Sequence, residues 1–172
     1  MTSYKEQLNK VTTFIFDIDG VLTNGKVMIF KDEVVRSLSS KDGYAIQYAS
    51  KKGYRILIIT GGNSVPVKER LLNLGCQEVI LSSSNKLDIY NQLKSKYNFT
   101  DDEVIYMGDD IPDYEVMKTV GLATCPQDAA IEIKEICQYQ SPFNGGENCV
   151  RDIIEQTLRV QNKWFDKEAF HW

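Results

Sequence analysis

Asp17 and Asp19 stand one residue apart at the end of an apolar run, FIFDIDGVLT over residues 14–23, and Gly20 follows at once. On a strict strand their side chains would share a face, but a glycine lets the chain turn and aim them differently. That separation suits a displacement at phosphorus. One carboxylate attacks while the other handles protons, and a difficult step is divided into formation and hydrolysis of an aspartyl phosphate. Asp17 is the expected nucleophile and Asp19 the expected acid/base. Taken alone, DxDG is equally well a pair of loop aspartates making turn or cap hydrogen bonds.

Three further stretches decide between these readings. LIITGGN ends a second apolar run, and there the hydroxyl of Thr60 and the accessible backbone donors of Gly61 and Gly62 suit a phosphate oxygen. By itself such a stretch is most often only a turn. Lys86, after the polar SSSN and at the start of a helical pattern, can bring a point charge to the same phosphate, although most lysines are merely solvated. IYMGDDIPD places Asp109, Asp110 and Asp113 just after Gly108. Gathering carboxylates this closely is costly without a cation, and Mg²⁺ takes one or two protein carboxylates with water and phosphate completing its shell. Capping of the helix that follows is the alternative use for Asp110 or Asp113, and both uses can hold together.

In an open α/β sheet, ligands bind beyond the carboxyl ends of the strands, and the elements predicted here put the motifs there. Segments 11–18, 54–60, 78–81 and 104–107 are short and rich in branched or aromatic residues, and 122–125 reads as a fifth strand. Segments 43–52, 64–74, 85–97 and 112–120 carry apolar residues at helical spacing, and 131–136 and 149–161 read as further helices. The alternation predicts a Rossmann-like three-layer α/β sandwich on a parallel sheet, with no internal repeat. Residues 25–39 break it. VMIF and VVRSL flank the polar KDE, which predicts a projecting hairpin, either an edge extension or a subunit contact.

With 172 residues, one domain over 1–172 is expected, with a tail at about 162–172. The formal net charge of −4 disfavours nucleic acid as a partner, so positive charge must be concentrated locally, by a metal ion and a few placed Lys or Arg side chains. Cys76, Cys125, Cys137 and Cys149 show no CxxC spacing, and no segment approaches the ~20 apolar residues that span a bilayer. A reduced cytoplasmic compartment and no membrane contact are expected.

The ordered set DxDG, strand-Thr-Gly, Lys and GDDxxD resembles the haloacid dehalogenase superfamily of phosphatases, and the order is far more specific than any one motif. The resemblance implies that Asp17 is phosphorylated, that Asp19 protonates the leaving alkoxide and then activates water, and that Thr60 and Lys86 hold the transferring group. It implies Mg²⁺ with side-chain ligands Asp17 and Asp109, the backbone carbonyl of Asp19, and Asp110 and Asp113 orienting those ligands. The usual insertion points hold only a hairpin's length of chain, so the resemblance is to members without a cap domain. A receiver-like signalling domain also accepts phosphate on Asp, but it would place its Lys last, whereas Lys86 precedes GDDxxD.

More narrowly, GVLTNGKV, KDGYAIQ, ITGGNSVPVKERLLNLG, SSSNKLDIY and GGENCVRD resemble the 3-deoxy-D-manno-octulosonate 8-phosphate phosphatase family, from about residue 11 to 161. That resemblance implies a homotetramer built through the hairpins, a small sugar-acid phosphate as substrate and a place in lipopolysaccharide synthesis. It also implies substrate contacts from Ser39, Ser40, Lys41, Asp42, Gly43 and Arg70, besides Asp19, Thr60, Gly61 and Lys86. Arg70 has a fork suited to a carboxylate, or is a solvated helix residue. Gln47 and Gly62 fall at substrate-facing positions where many relatives carry Arg, which keeps nine-carbon sugar-acid phosphates open as the alternative substrate. Gly145, Gly146 and Arg151 match the family, whereas Asn148 and Cys149 replace smaller residues. By the same resemblance the aromatic tail WFDKEAFHW could cover a neighbouring active site, and His171, the sole histidine, is not expected to be catalytic.

Overall fold

Phe14, Ile15 and Phe16 are all fully buried, which a strand requires when helices cover both faces of its sheet. They belong to β1 (Thr13–Phe16) at the centre of a parallel sheet, in a computed structural model that describes residues 3–31 and 33–171. β4 (Arg55–Ile59) and β6 (Val104–Met107) flank β1 in register, Phe16 standing beside Ile58 on one side and Met107 on the other. β5 (Glu78–Ile80), β7 (Leu122–Cys125) and β8 (Tyr139–Gln140) extend the sheet to the order β5-β4-β1-β6-β7-β8.

Period-two alternation divides the apolar side chains into two cores. Phe14, Phe16, Ile56 and Ile58 face α2 (Ser40–Lys51) and α7 (Cys149–Val160), with Ala45, Ile46, Val150 and Ile154 among their contacts. Ile15, Leu57, Ile59 and Tyr106 face the opposite layer, with Tyr90 of α4 (Lys86–Tyr97), Val116 of α5 (Tyr114–Met117) and Ile133 of α6 (Ile131–Ile136). Each such side chain, fully buried, contributes roughly 1.5–3 kcal/mol. The sheet is thereby fixed well enough to serve as a rigid platform for its loops.

Several sequence-based expectations need adjustment. The segment 112–120 is not one helix. Residues Ile111–Asp113 form a 3₁₀ turn and only Tyr114–Met117 is α-helical, because the Asp113 side chain turns inward. The edge strand β8 and α1 (Tyr4–Gln7) are too short for periodicity to reveal. The hairpin exists as β2 (Met28–Ile29) paired antiparallel with β3 (Val34–Val35), and Asp32 of its tip lies outside the described residues, as does Trp172 of the tail. Among the described residues no cap domain is present.

The tail packs on its own chain. Trp164 meets Tyr44 and Tyr48 of α2 edge-on, Tyr48 Oη donates to Asp166 Oδ1 at 3.0 Å, and Lys52 pairs with Asp166 and Glu168.

Asp42, in the first turn of α2, joins α2 to α7. It is 1% exposed and accepts from the Arg151 backbone N–H at 2.8 Å, in the first turn of α7. Burial pushes its carboxyl up to about 6, against the pull of Arg151. Because the folded value lies above the ordinary one, the contribution to stability is fully present below about pH 4 and is lost as pH rises through about 6. Asp42→Asn keeps an acceptor and removes the charge. Its stability relative to the parent, read from denaturant titrations, should therefore rise between pH 4.5 and 7.5, by up to ~3 kcal/mol.

Candidate active site

The cleft lies beyond the carboxyl ends of β1, β4 and β6, where three loops and the start of α4 meet. It measures about 480 Å³ and is lined by Asp17, Asp19, Thr60, Gly61, Gly62, Lys86, Asp109, Asp110 and Asp113, with Gly25, Ser83, Ser84 and Pro112. Every residue named for the phosphoryl chemistry is therefore brought to one place.

Asp17 follows β1 directly and is 7% exposed. Its Oδ1 accepts from the Ile18 N–H at 2.6 Å and its Oδ2 from Lys86 Nζ at 2.6 Å, so both oxygens are held. Lys86, the first residue of α4, also donates to Asp113 Oδ1 at 2.7 Å, and that oxygen receives a third bond, from Tyr106 Oη at 2.6 Å. Asp113 Oδ2 accepts from the Asp109 N–H at 3.3 Å. Burial pulls the Lys86 ammonium down, but Asp113 and Asp17 outweigh it and hold Lys86 above its ordinary value.

Gly20 makes the turn that parts Asp17 from Asp19. Its φ is +86°, and a Cβ there would lie 1.9 Å from Asp109 Oδ2, so any side chain would displace that carboxylate. Ligand oxygens of Asp17, Asp109 and Asp113 all lie within 4.8 Å of one another. Burial, then Asp17 and Asp113, pushes Asp109 up to about 7, while burial and Asp113 push Asp17 up to about 6 against Lys86. Asp109 Oδ1 is buried without a hydrogen-bond partner. A buried bare carboxylate oxygen beside two more carboxylates, with one ammonium among them, fits a hard divalent cation such as Mg²⁺. Asp109 offers its bare Oδ1 to such an ion, whereas Asp17 is engaged by Ile18 and Lys86 and Asp113 by Lys86 and Tyr106.

Asp110 is exposed and its Oδ1 accepts from the Ile111 N–H at 2.8 Å, so it caps the 3₁₀ turn while lining the cleft. Thr60 is buried and its hydroxyl accepts from the Gly62 N–H at 3.1 Å. Asp19 meets Arg36, from the hairpin, in a two-pronged pair: Nε to Oδ1 at 2.7 Å and Nη2 to Oδ2 at 3.0 Å.

The residues expected to contact the sugar are not brought to the nucleophile within this chain. Ser39, Ser40, Asp42, Gly43 and Arg70 line a separate pocket of about 100 Å³ between α2 and α3 (Val65–Asn73), and Lys41 lines another beside α7. Asp42 is committed to Arg151, Arg70 is exposed, and Gln47 is half-buried on α2. Two residues of the site were not anticipated. Tyr106 could have been suspected, since a hydroxyl inside a fully buried strand must find a partner. Arg36 was the cation nearest the returning end of the predicted hairpin, a weak signal.

The comparisons agree with this geometry. The family of haloacid dehalogenase-like hydrolases matches residues 73–154. The chain is 30% identical to the 3-deoxy-D-manno-octulosonate 8-phosphate phosphatase KdsC of Salmonella typhi over 94% of its own length and 87% of that protein's. Among solved structures, the 3-deoxy-D-manno-octulosonate 8-phosphate phosphatase of Yersinia pestis superposes with a TM-score of 0.90 at 28% identity, covering 92% of this chain and 86% of that one. The enzyme of Moraxella catarrhalis, in complex with magnesium ion, phosphate ion and KDO, gives 0.92 at 25% identity, covering 99% and 97%. Similarity in sequence and fold across nearly the whole of both chains places the protein: it belongs to the 3-deoxy-D-manno-octulosonate 8-phosphate phosphatase family of haloacid dehalogenase-like hydrolases.

Proposed function

We propose that the chain, acting as a single phosphatase domain, hydrolyses 3-deoxy-D-manno-octulosonate 8-phosphate to the free sugar acid and phosphate. The observation that carries this reading is Asp17, buried at the cleft floor with Ile18 and Lys86 fixing its oxygens and the bare Asp109 Oδ1 nearby. Asp17 attacks phosphorus as the bond to the sugar oxygen breaks, and Asp19 gives that oxygen its proton. Water then attacks the aspartyl phosphate, returning a proton to Asp19 and freeing Asp17. Thr60, Lys86 and the Gly61 and Gly62 backbone hold the phosphoryl oxygens. Asp17, Asp109 and the Asp19 carbonyl would hold Mg²⁺, with Asp110 and Asp113 orienting them, and the ion would supply charge neutralisation for the displacement.

The same reading gives the hairpin a role. Met28, Ile29 and Phe30 are 57%, 79% and 55% exposed, an apolar strip that water does not favour, which supports assembly through the hairpins into a homotetramer. In such an assembly the sugar end of the substrate is recognised partly between subunits, which accounts for Ser39, Ser40, Lys41, Asp42, Gly43, Gln47 and Arg70 lying away from Asp17. Cytoplasmic placement is proposed on the free cysteines Cys76, Cys125, Cys137 and Cys149. No helix among the described residues is long and apolar enough to cross a membrane.

Phosphate release should be Mg²⁺-dependent and fastest from the eight-carbon acid, when measured beside the nine-carbon acid phosphate and a hexose phosphate with metal or chelator. Preference for the nine-carbon acid would change the substrate and keep the mechanism; no release from any would overturn the reading. Asp19→Asn should cut turnover by ~10²-fold or more while the chain still folds, as a circular-dichroism spectrum like the parent's would show, with a lower melting temperature because Arg36 loses its charged partner. Asp109→Asn should raise the melting temperature of the metal-free protein at pH 8, because it relieves repulsion from Asp17 and Asp113. The same variant should lose the stabilisation that Mg²⁺ gives the parent, which a pair of thermal melts would check.

A further inference from the structure

Arg36 stands just past β3, where the hairpin returns to the body, and its side chain is only 10% exposed. Its Nε and Nη2 donate to the two different oxygens of Asp19, at 2.7 and 3.0 Å. An acid that is to protonate a leaving group must first carry the proton, and a guanidinium bonded to both oxygens favours the ionised carboxylate over the protonated one. The pair as it stands is therefore a resting arrangement that the reaction must open.

The guanidinium also stands where an anionic substrate needs charge. Five carboxylates and a single ammonium line the cleft, and Arg36, behind that lining, pairs with one of the five, Asp19. Its Nη2 lies 3.5 Å from the place a Cβ would take on Gly62, and Thr60 Oγ1 lies at the same distance from that place. The absence of a side chain at Gly62 thus leaves the fork room beside a group expected to hold phosphoryl oxygens.

Resting on the assignment of Asp19 as acid/base, we propose that Arg36 is a substrate-responsive latch. In the free enzyme its fork holds Asp19; when substrate enters, the fork transfers to an anionic oxygen pair of the substrate and leaves Asp19 free to carry a proton. No covalent bond changes in this exchange. One anion replaces another at the guanidinium, so a largely buried cation never stands unpaired, which would be costly. The oxygen pair belongs either to the phosphoryl group or to the carboxylate of the sugar acid, and planar two-pronged recognition suits both.

The test is steady-state kinetics of the full chain with Mg²⁺, for the parent, Arg36→Gln and Arg36→Lys, on the eight-carbon acid phosphate, with thermal melts alongside. The contact with substrate persists through the transition state, so Arg36→Gln should raise KM ~10- to 100-fold with kcat nearly unchanged, and Arg36→Lys should recover part of the loss. Competitive inhibition by inorganic phosphate and by the free sugar acid separates the sources. Weakened inhibition by phosphate assigns the phosphoryl group, and weakened inhibition by the sugar acid assigns the carboxylate. A fall in kcat at unchanged KM would make Arg36 only an orienting partner of Asp19, and a lower melting temperature with unchanged kinetics would make it only a pin; either overturns the latch. A parent enzyme that releases no phosphate would instead defeat the phosphatase reading itself.

Discussion

A buried ammonium between two carboxylates organises this molecule's chemistry. Lys86 is 5% exposed, and both of its partners, Asp17 and Asp113, are nearly as enclosed. Taking such charges out of water is expensive, and their mutual attraction offsets the cost only with close geometry and further hydrogen bonds. Tyr106 and the Ile18 and Asp109 backbone N–H groups supply those bonds. The placement is poor for the helix, because Lys86 opens α4, where the dipole favours anions. A cation held there by two carboxylates makes sense when an anion is to arrive, since a helix N-terminus and an ammonium both attract phosphate.

The sheet makes this arrangement possible by fixing the strand ends. β1 and its neighbours β4 and β6 are parallel and in register, so the residues after their last positions emerge at one edge. Asp17 and Thr60 occupy those positions, and Asp109 stands one residue further on, after Gly108. Gly20 is needed for the turn and for the space that Asp109 fills, and Asp113 reaches Lys86 because a 3₁₀ turn brings its side chain inward. The same turn breaks the helix that apolar spacing predicts over 112–120. Local propensity gives way there to the pairing of a buried charge.

The acidic edge is legible in the sequence because its residues sit within a few positions of a strand end or, for Lys86, at the first position of a helix, and strand ends in α/β folds have a fixed place in space. The strands themselves were legible from short, branched and aromatic runs, with boundaries moved by a residue or two. What lay hidden depends on contacts between distant segments. Tyr106 was counted among apolar strand residues, and nothing local tells that its hydroxyl meets Asp113. Arg36 lies in a hairpin whose orientation no periodicity fixes. Asp42 was matched to a sugar contact by resemblance, yet in this chain its carboxylate accepts a backbone bond in the first turn of α7, a partner 109 residues away in sequence.

The division between these two groups has a physical consequence for specificity. The phosphoryl end of the cleft is gathered at one sheet edge and the start of α4. No cap domain covers it among the described residues, so selectivity for the rest of the substrate must come from parts outside that edge. The hairpin reaches Asp19 through Arg36, and its exposed Met28, Ile29 and Phe30 offer a contact surface at its other end. An assembly formed on that apolar strip would fix the hairpin, and with it the position of the guanidinium that faces Asp19. Reaction type is thus set by the sheet, whereas substrate choice is left to segments whose placement association can adjust.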